Sequence, residues 1–270
     1  MLLQCLAGQG YAAGDQVAGA TLPLATRVMT DLGDHHATFW QRPELTAAWT
    51  AWLPCLSSPE FLDYDATSFA ASWPRFRTRF PGAVAALSPV LRDALDGGAF
   101  LPGAKRLLHQ LGTGPLTLLH GDLRLDNVMH RATQAMNSSR DAAGIKAAYI
   151  DMGDCAAGRG AFDVAYFLSM SLDTQLRRQA EDKLLHAYAD RLQRRSSGVG
   201  GAVHGRPVAY SSDELHTDYG AATTYALCLA VNLGGSAHLD TAPERKRRLA
   251  AAMATRACAA VADARGETFL

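Results

Sequence analysis

The stretch His120-Gly121-Asp122-Leu123-Arg124-Leu125-Asp126-Asn127 lies between two short apolar runs, and Tyr149-Ile150-Asp151-Met152-Gly153 follows, with Asp151 24 positions after Asn127. These residue types suit phosphoryl transfer. That reaction needs a carboxylate to orient and deprotonate the attacking hydroxyl, and hard oxygen ligands for the Mg²⁺ on the nucleotide phosphates. A loop presenting Asp122 and Asn127 can aim the first at an acceptor hydroxyl while the amide oxygen of the second coordinates metal. Asp151, at the end of the following strand, would enter from the other side and bridge the metal ions, and Gly153 would let the backbone turn sharply after it. Arg124 admits two readings, a guanidinium fork on the transferred phosphoryl group or an ordinary exposed loop arginine. Asp126 is expected to face solvent, and Asp154 to cap a turn. For Asp122 taken alone, a turn-capping aspartate is the simpler reading. The joint spacing of Asn127, Asp151, Gly153 and Asp163 outweighs it.

The elements that must position these groups are short strands and longer helices. Residues 116–119, 127–130 and 145–150 are apolar runs that read as three strands flanking two polar loops, with 131–144 as a hairpin tip. Upstream, residues 21–40 place Leu24, Val28, Leu32 and Phe39 at helical spacing, with Arg27, Asp31 and Asp34 on the other face. Residues 42–80 are rich in Trp, Phe and Pro without a sustained period, which predicts short helices joined by loops. Residues 83–95 and 103–111 read as helices closed by Gly97-Gly98 and by Gly112. Helical patterns then cover 163–172, 174–194, 211–234 and 241–265, with capping boxes predicted at Ser211/Glu214 and Thr241/Glu244. Residues 196–210 are glycine-rich, contain Pro207, and read as a flexible connector.

Composition narrows the possible partners. Lys plus Arg equals Asp plus Glu at 26 each, so no global field holds a polyanion or an acidic membrane surface, and neither a nucleic-acid nor a membrane partner is expected. The most apolar stretch, 221–235, is interrupted by Thr223, Thr224, Asn232 and two glycines. It falls short of the ~20 apolar residues of a bilayer span and reads as a buried helix. The five cysteines, Cys5, Cys55, Cys155, Cys228 and Cys258, are scattered without a CxxC pair, which predicts a reducing, cytoplasmic setting. His35-His36 and the other histidines lack the spacing of metal ligands and read as ordinary. The run Arg245-Lys246-Arg247-Arg248 reads as a solvated helix face. Gly8-Gln9-Gly10-Tyr11-Ala12-Ala13-Gly14 has the first two glycines of a phosphate-loop pattern but Ala13 at the third place, and reads as a surface turn.

Residues 120–127 resemble the HGDxxxxN motif of the aminoglycoside phosphotransferase and choline-kinase-like superfamily, which takes in the CHK and ecdysteroid-kinase-like proteins. They are also similar to the protein-kinase catalytic loop, with Arg124 where kinases commonly carry lysine. Asp151-Met152-Gly153 resembles the kinase Asp-Phe-Gly metal motif, with Met152 where relatives often have an aromatic residue. Residues 158–167 resemble the family's glycine-containing loop and the helix that begins Asp163-Val164-Ala165. The resemblance implies an α+β, mainly α fold: the C-terminal lobe of a protein-kinase-like fold, helical, with a short β-hairpin at the catalytic loop. It implies ATP and Mg²⁺ as cofactors and a small-molecule hydroxyl as acceptor. Asp122 and Arg124 would be catalytic, and Asn127 and Asp151 would bind metal and nucleotide. His120, Gly153 and Asp163 would be structural support, Asp163 by holding the loop's backbone and His120 from behind it.

Residues 14–19 and 36–40 look like the region just after the hinge between two lobes. On that reading residues 1–20 are a hinge remnant and linker, 1–6 the hinge strand and 21–270 the C-terminal lobe, and the N-terminal ATP lobe is absent. That Lys105 is the first lysine agrees, because such a lobe needs one on a strand after its glycine-rich hairpin. Two rivals stand beside the kinase reading. One is a stand-alone lobe without activity, serving as a binding module or arising from an incomplete gene model. The other is a metal-dependent hydrolase using His120, Asp122 and Asp151, which Asn127, a poor zinc ligand, disfavours.

Overall fold

Helix starts and stops follow local chemistry in the first third of the chain. The computed structural model describes residues 5–47, 52–132, 144–196 and 209–270. A one-turn 3-10 helix at Ala7–Gln9 and the two-residue strand β1 (Ala12–Ala13) lead to α1 (Leu22–Phe39). Thr21 starts α1 by accepting the Leu24 amide, and Pro23 sits in the first turn, where its missing N–H is harmless. Leu24, Val28 and Leu32 are buried, as their spacing predicts. Of the hinge strand expected over residues 1–6, residues 1–4 lie outside the described residues. From Cys5 onward there is none, since Ala7 already begins the 3-10 turn.

Where the sequence predicts short helices, one long helix forms, α2 (Pro59–Arg79). Its signal is in the second half: Phe69, Trp73, Phe76 and Phe80 recur at helical spacing, and the first three are buried. Pro74 hides the pattern, because an interior proline deletes an amide and reads as a break. The single helix expected over 83–95 is instead two, α3 (Pro81–Ala85) and α4 (Pro89–Asp96). Pro89 cannot continue the first, and Ser88 starts the second by accepting the Leu91 amide at 3.2 Å. Next comes α5 (Phe100–Leu111).

The three predicted strands form as β2 (Thr117–Leu119), β3 (Val128–Ala132) and β4 (Ile145–Tyr149), and β5 (Ala156–Gly158) joins them. β3 and β4 pair antiparallel from Val128↔Tyr149 to Ala132↔Ile145, with β1 on the other edge of β3. β2 pairs antiparallel with β5. β1 and β5 contain only Ala and Gly, so they show no alternation to read. Most of the hairpin tip predicted at 131–144 lies outside the described residues.

The C-terminal half comprises α6 (Ala161–Ser171), α7 (Thr174–Ser196), α8 (Ser212–Gly234) and α9 (Glu244–Asp263). α6 is buried on every side, against α8, α9 and α7, while α1 lies along α7 and α2 along α8. The reciprocal Ser211–Glu214 capping box forms. The Thr241–Glu244 box does not: Pro243 takes the N-cap place, and the Thr241 hydroxyl donates to the His238 carbonyl at 3.3 Å. The predicted connector lies at 197–208 outside the described residues. Residues 221–235 lie on the largely buried α8, and no helix among the described residues is long and apolar enough to cross a membrane. All five cysteines are free thiols. The fold is thus α+β and mainly α, with two small antiparallel sheets beside the helices.

Candidate active site

β2 delivers the chain to His120 and β3 carries it away from Asn127, so residues 120–127 form a loop between the two sheets. Asp163, fully buried in the first turn of α6, holds this loop by its backbone. Its Oδ2 accepts the His120 amide at 2.7 Å and its Oδ1 the Gly121 amide at 3.0 Å. His36 of α1 completes the anchor: its Nε2 is 3.3 Å from Asp163 Oδ2, and its Nδ1 is 2.9 Å from the Tyr188 hydroxyl. Burial pushes the Asp163 carboxyl up, but the hydrogen bond and charge of His36 and the two loop amides outweigh it, and the pKa lies below the ordinary carboxylate range. His36, read from sequence as ordinary, is therefore part of the scaffold.

Three contacts join the loop to the 151–154 turn. His120 Nε2 lies 3.0 Å from the Ile150 carbonyl, and the Ile150 amide donates to the Asn127 carbonyl at 3.1 Å. Gly121 has φ +83°, and a Cβ there would stand 1.9 Å from the Asp154 carbonyl oxygen, so only glycine allows this approach. The sharp turn expected at Gly153 is made by Asp151 instead, at φ 64° and ψ 58°. A Cβ on Gly153 would meet nothing closer than Asp151 Oδ1 at 3.7 Å. Asp151 is exposed, and its carboxylate has no hydrogen bond or ion pair among the described residues. A left-handed conformation at a non-glycine residue costs about 1 kcal/mol or more, a strain typical of functional positions.

The two oxygens of Asp122 have different partners. Oδ2 accepts from Arg124 Nε at 3.1 Å and from Asn127 Nδ2 at 2.9 Å, while Oδ1 accepts from the Tyr166 hydroxyl at 2.7 Å. Asn127 Nδ2 also donates to the Asp122 carbonyl at 2.9 Å. With the amide nitrogen held this way, the amide oxygen remains as an acceptor. That oxygen and the bare Asp151 carboxylate are the hard donor set a Mg²⁺ ion takes, so the residues present fit that metal.

Arg124 folds back onto Asp122 and lies 3.8 Å from Asp126, which settles it as paired rather than free in the loop. Burial lowers its pKa, but the charge and hydrogen bond of Asp122 raise it by more. Burial first, and then the Asp122 charge, push the Tyr166 phenol far above its usual range, so it remains a donor. Asp126 does not face solvent as expected. It accepts the Gln16 amide at 3.0 Å and Arg245 at 2.8 Å, bracing the loop against the segment after β1.

A cleft of about 1010 Å³ opens over these groups. Asp122, Arg124, Asp126, Asp154 and Tyr166 line it together with residues of α2, the end of α8 and the start of α9. Asp154 thus belongs to the cleft wall. So do Arg245 and Lys246, from the run read as a solvated face. Tyr166 was findable, since it lies three residues past Asp163, one helical turn along α6. Gln16 and His36 lie in the two segments that resemble the region after the hinge, while Arg245 had no such signal. Among the described residues, no three His, Cys, Asp or Glu side chains cluster as a metal site, and His120 Nε2 already faces the Ile150 carbonyl. The hydrolase reading lacks its ligand set.

A helical lobe carrying this loop between two small sheets, with an aspartate-bearing turn against it, has the form of the kinase-like class. Residues 61–200 match the Ecdysteroid kinase-like family, just over half of the chain, and the chain belongs to that family. The matched stretch includes the loop, the 151–154 turn and Asp163, and ends before α8 and α9. Comparison with curated proteins finds no match.

Proposed function

We propose that this chain is a small-molecule kinase that transfers the γ-phosphate of ATP to a hydroxyl, with Asp122 as its base. The observation that carries the reading is the junction of Asp122, Asn127 and the 151–154 turn. A carboxylate that opens on a large cleft is hydrogen-bonded to an amide whose own oxygen is left for metal, and the next strand ends beside it on an unpaired carboxylate.

Asn127 Oδ1 and the Asp151 carboxylate would hold Mg²⁺, which when bound neutralises charge on the nucleotide phosphates. Asp122 Oδ1 faces Tyr166 rather than the loop, and there it would accept the proton of the acceptor hydroxyl. Arg124, hydrogen-bonded to Asp122 through its Nε, has its remaining guanidinium N–H groups for the transferred phosphoryl. Asp163, His36 and His120 keep the loop in place and touch no reactant.

The test is transfer of label from Mg·ATP to a panel of hydroxylated small molecules by this chain. Asp122→Asn should lower turnover by about 10²–10⁴-fold, the usual contribution of a general base. Unchanged turnover would end the proposal. If Mg·ATP does not bind, the stand-alone binding module is the better reading.

A further inference from the structure

We infer that Arg245, in the first turn of α9, is a positioning residue for the transfer, one that occupies the Asp126 carboxylate and so leaves Arg124 to Asp122. The inference rests on the phosphotransfer reading for what Arg124 does. Five side chains alternate in charge from the loop to α9 and the segment after β1. Arg124 lies 3.1 Å from Asp122 and 3.8 Å from Asp126, while Arg245 lies 2.8 Å from Asp126 and 3.9 Å from Asp15. The first and third separations are hydrogen bonds, and the other two are too long to be. Arg124 therefore belongs to Asp122, and Asp126 to Arg245.

Nothing local decides that division, because Asp122 and Asp126 stand two residues to either side of Arg124. The start of α9 decides it. Asp126 Oδ1 accepts from Arg245 and from the Gln16 amide, and Oδ2 is the oxygen 3.8 Å from Arg124. With Arg245 gone, Asp126 keeps one neutral amide, and Arg124 is the cation left beside it. The Asp126 side chain is only 14 % exposed, so the charge left behind is poorly screened. The Arg124 guanidinium would close on it, loosening Nε from Asp122 and taking up an N–H group that the proposed reaction uses on the phosphoryl. The balance of charges agrees. Burial lowers the Arg124 pKa; of the groups that raise it, Asp122 does most and Asp126 least. The hydrogen bond and charge of Asp126 raise the pKa of Arg245 and the Arg124 charge lowers it, as expected of two guanidinium groups that share one carboxylate.

Arg245 also lines the cleft, so direct contact with a substrate is the rival role. The test compares turnover of the whole chain, Arg245→Ala, Asp126→Asn and the double variant. Arg245→Ala should lower kcat about fivefold, the upper range for one exposed ion pair, with KM for ATP little changed, and Arg245→Lys should recover part of the loss. The double variant should turn over faster than Arg245→Ala and as fast as Asp126→Asn, because no charge is left to draw Arg124 away. If Arg245 merely braces α9 against the loop, all three variants fall alike; if it touches substrate, the double variant stays as low as Arg245→Ala. Either result overturns the inference. Arg245 is 62 % exposed, so its variants should melt as the parent does. Heteronuclear NMR of the Arg124 Nε–H, assigned by its loss in Arg124→Lys, reads the same step without catalysis. Its exchange with water should quicken in Arg245→Ala and slow again in the double variant, and unchanged exchange overturns the inference even where turnover falls. Should the parent transfer no phosphate, the kinase reading fails and the exchange result alone decides this one.

Discussion

Asp122 commits one oxygen to its own loop and the other to Tyr166, so the two neighbours should fail differently when altered. Tyr166→Phe keeps the ring within α6 and deletes only the donor to Oδ1. Turnover should fall about tenfold with KM little changed, and stability should drop by about 1 kcal/mol, the usual value of one hydrogen bond. Steady-state kinetics beside a urea melt separates the two effects. Asp151 makes the opposite case, because its left-handed backbone suits asparagine as well as any residue but glycine. Asp151→Asn should therefore leave the melting temperature in place while raising the Mg²⁺ needed for half-maximal turnover by at least about tenfold, as losses at metal sites commonly do. A lowered melting temperature with unchanged Mg²⁺ dependence would show that the carboxylate serves the fold alone.

At the scale of elements, the loop depends on the junction of α6 with α1. Asp163 is held in its charged form below the ordinary carboxylate range. Its contribution to stability is thus full above the unfolded pKa and is lost as pH falls through the folded one. Unfolding free energy should decline as pH drops below about 4, the unfolded carboxylate value, and Asp163→Asn should flatten part of that decline. The same variant should cost about 3 kcal/mol near neutral pH, because it breaks a buried hydrogen-bonded pair. Gly121→Ala should cost about 2 kcal/mol or more and abolish transfer, since the loop must lift off the 151–154 turn to admit a Cβ. Gly82→Ala is its control. Nothing lies within 4 Å of a Cβ on that α3 glycine, and the change should stabilise by about 0.5–1 kcal/mol. Element ends were legible at Thr21 and Ser211, which begin helices as their chemistry predicts, but not at Ser88, whose cap fell inside a run that reads as one helix. Thr241 failed because Pro243, two residues on, took the N-cap backbone geometry. α2 was misread because Pro74 outweighed a run of aromatics at helical spacing.

For the molecule as a whole, the site is an assembly of distant pieces: Gln16 after β1, His36 of α1, the loop, Tyr166 and Asp163 of α6, and Arg245 of α9. What the sequence alone determined is the loop's own chemistry. Asp122 and Asn127 are five residues apart, and a chain that short can bring an amide onto a carboxylate by its backbone turn alone. Helical period likewise showed that α1 buries a face, and apolar content that residues 221–235 are a buried helix. The tertiary structure decided which face meets which. His36 finds Asp163 across 127 residues and Arg245 finds Asp126 across 119, pairings that no local spacing encodes. Periodicity reports that a side chain leaves water, because burial of apolar area rewards any partner alike. The identity of the partner emerges only when all the helices settle around one core and each buried charge must find its match.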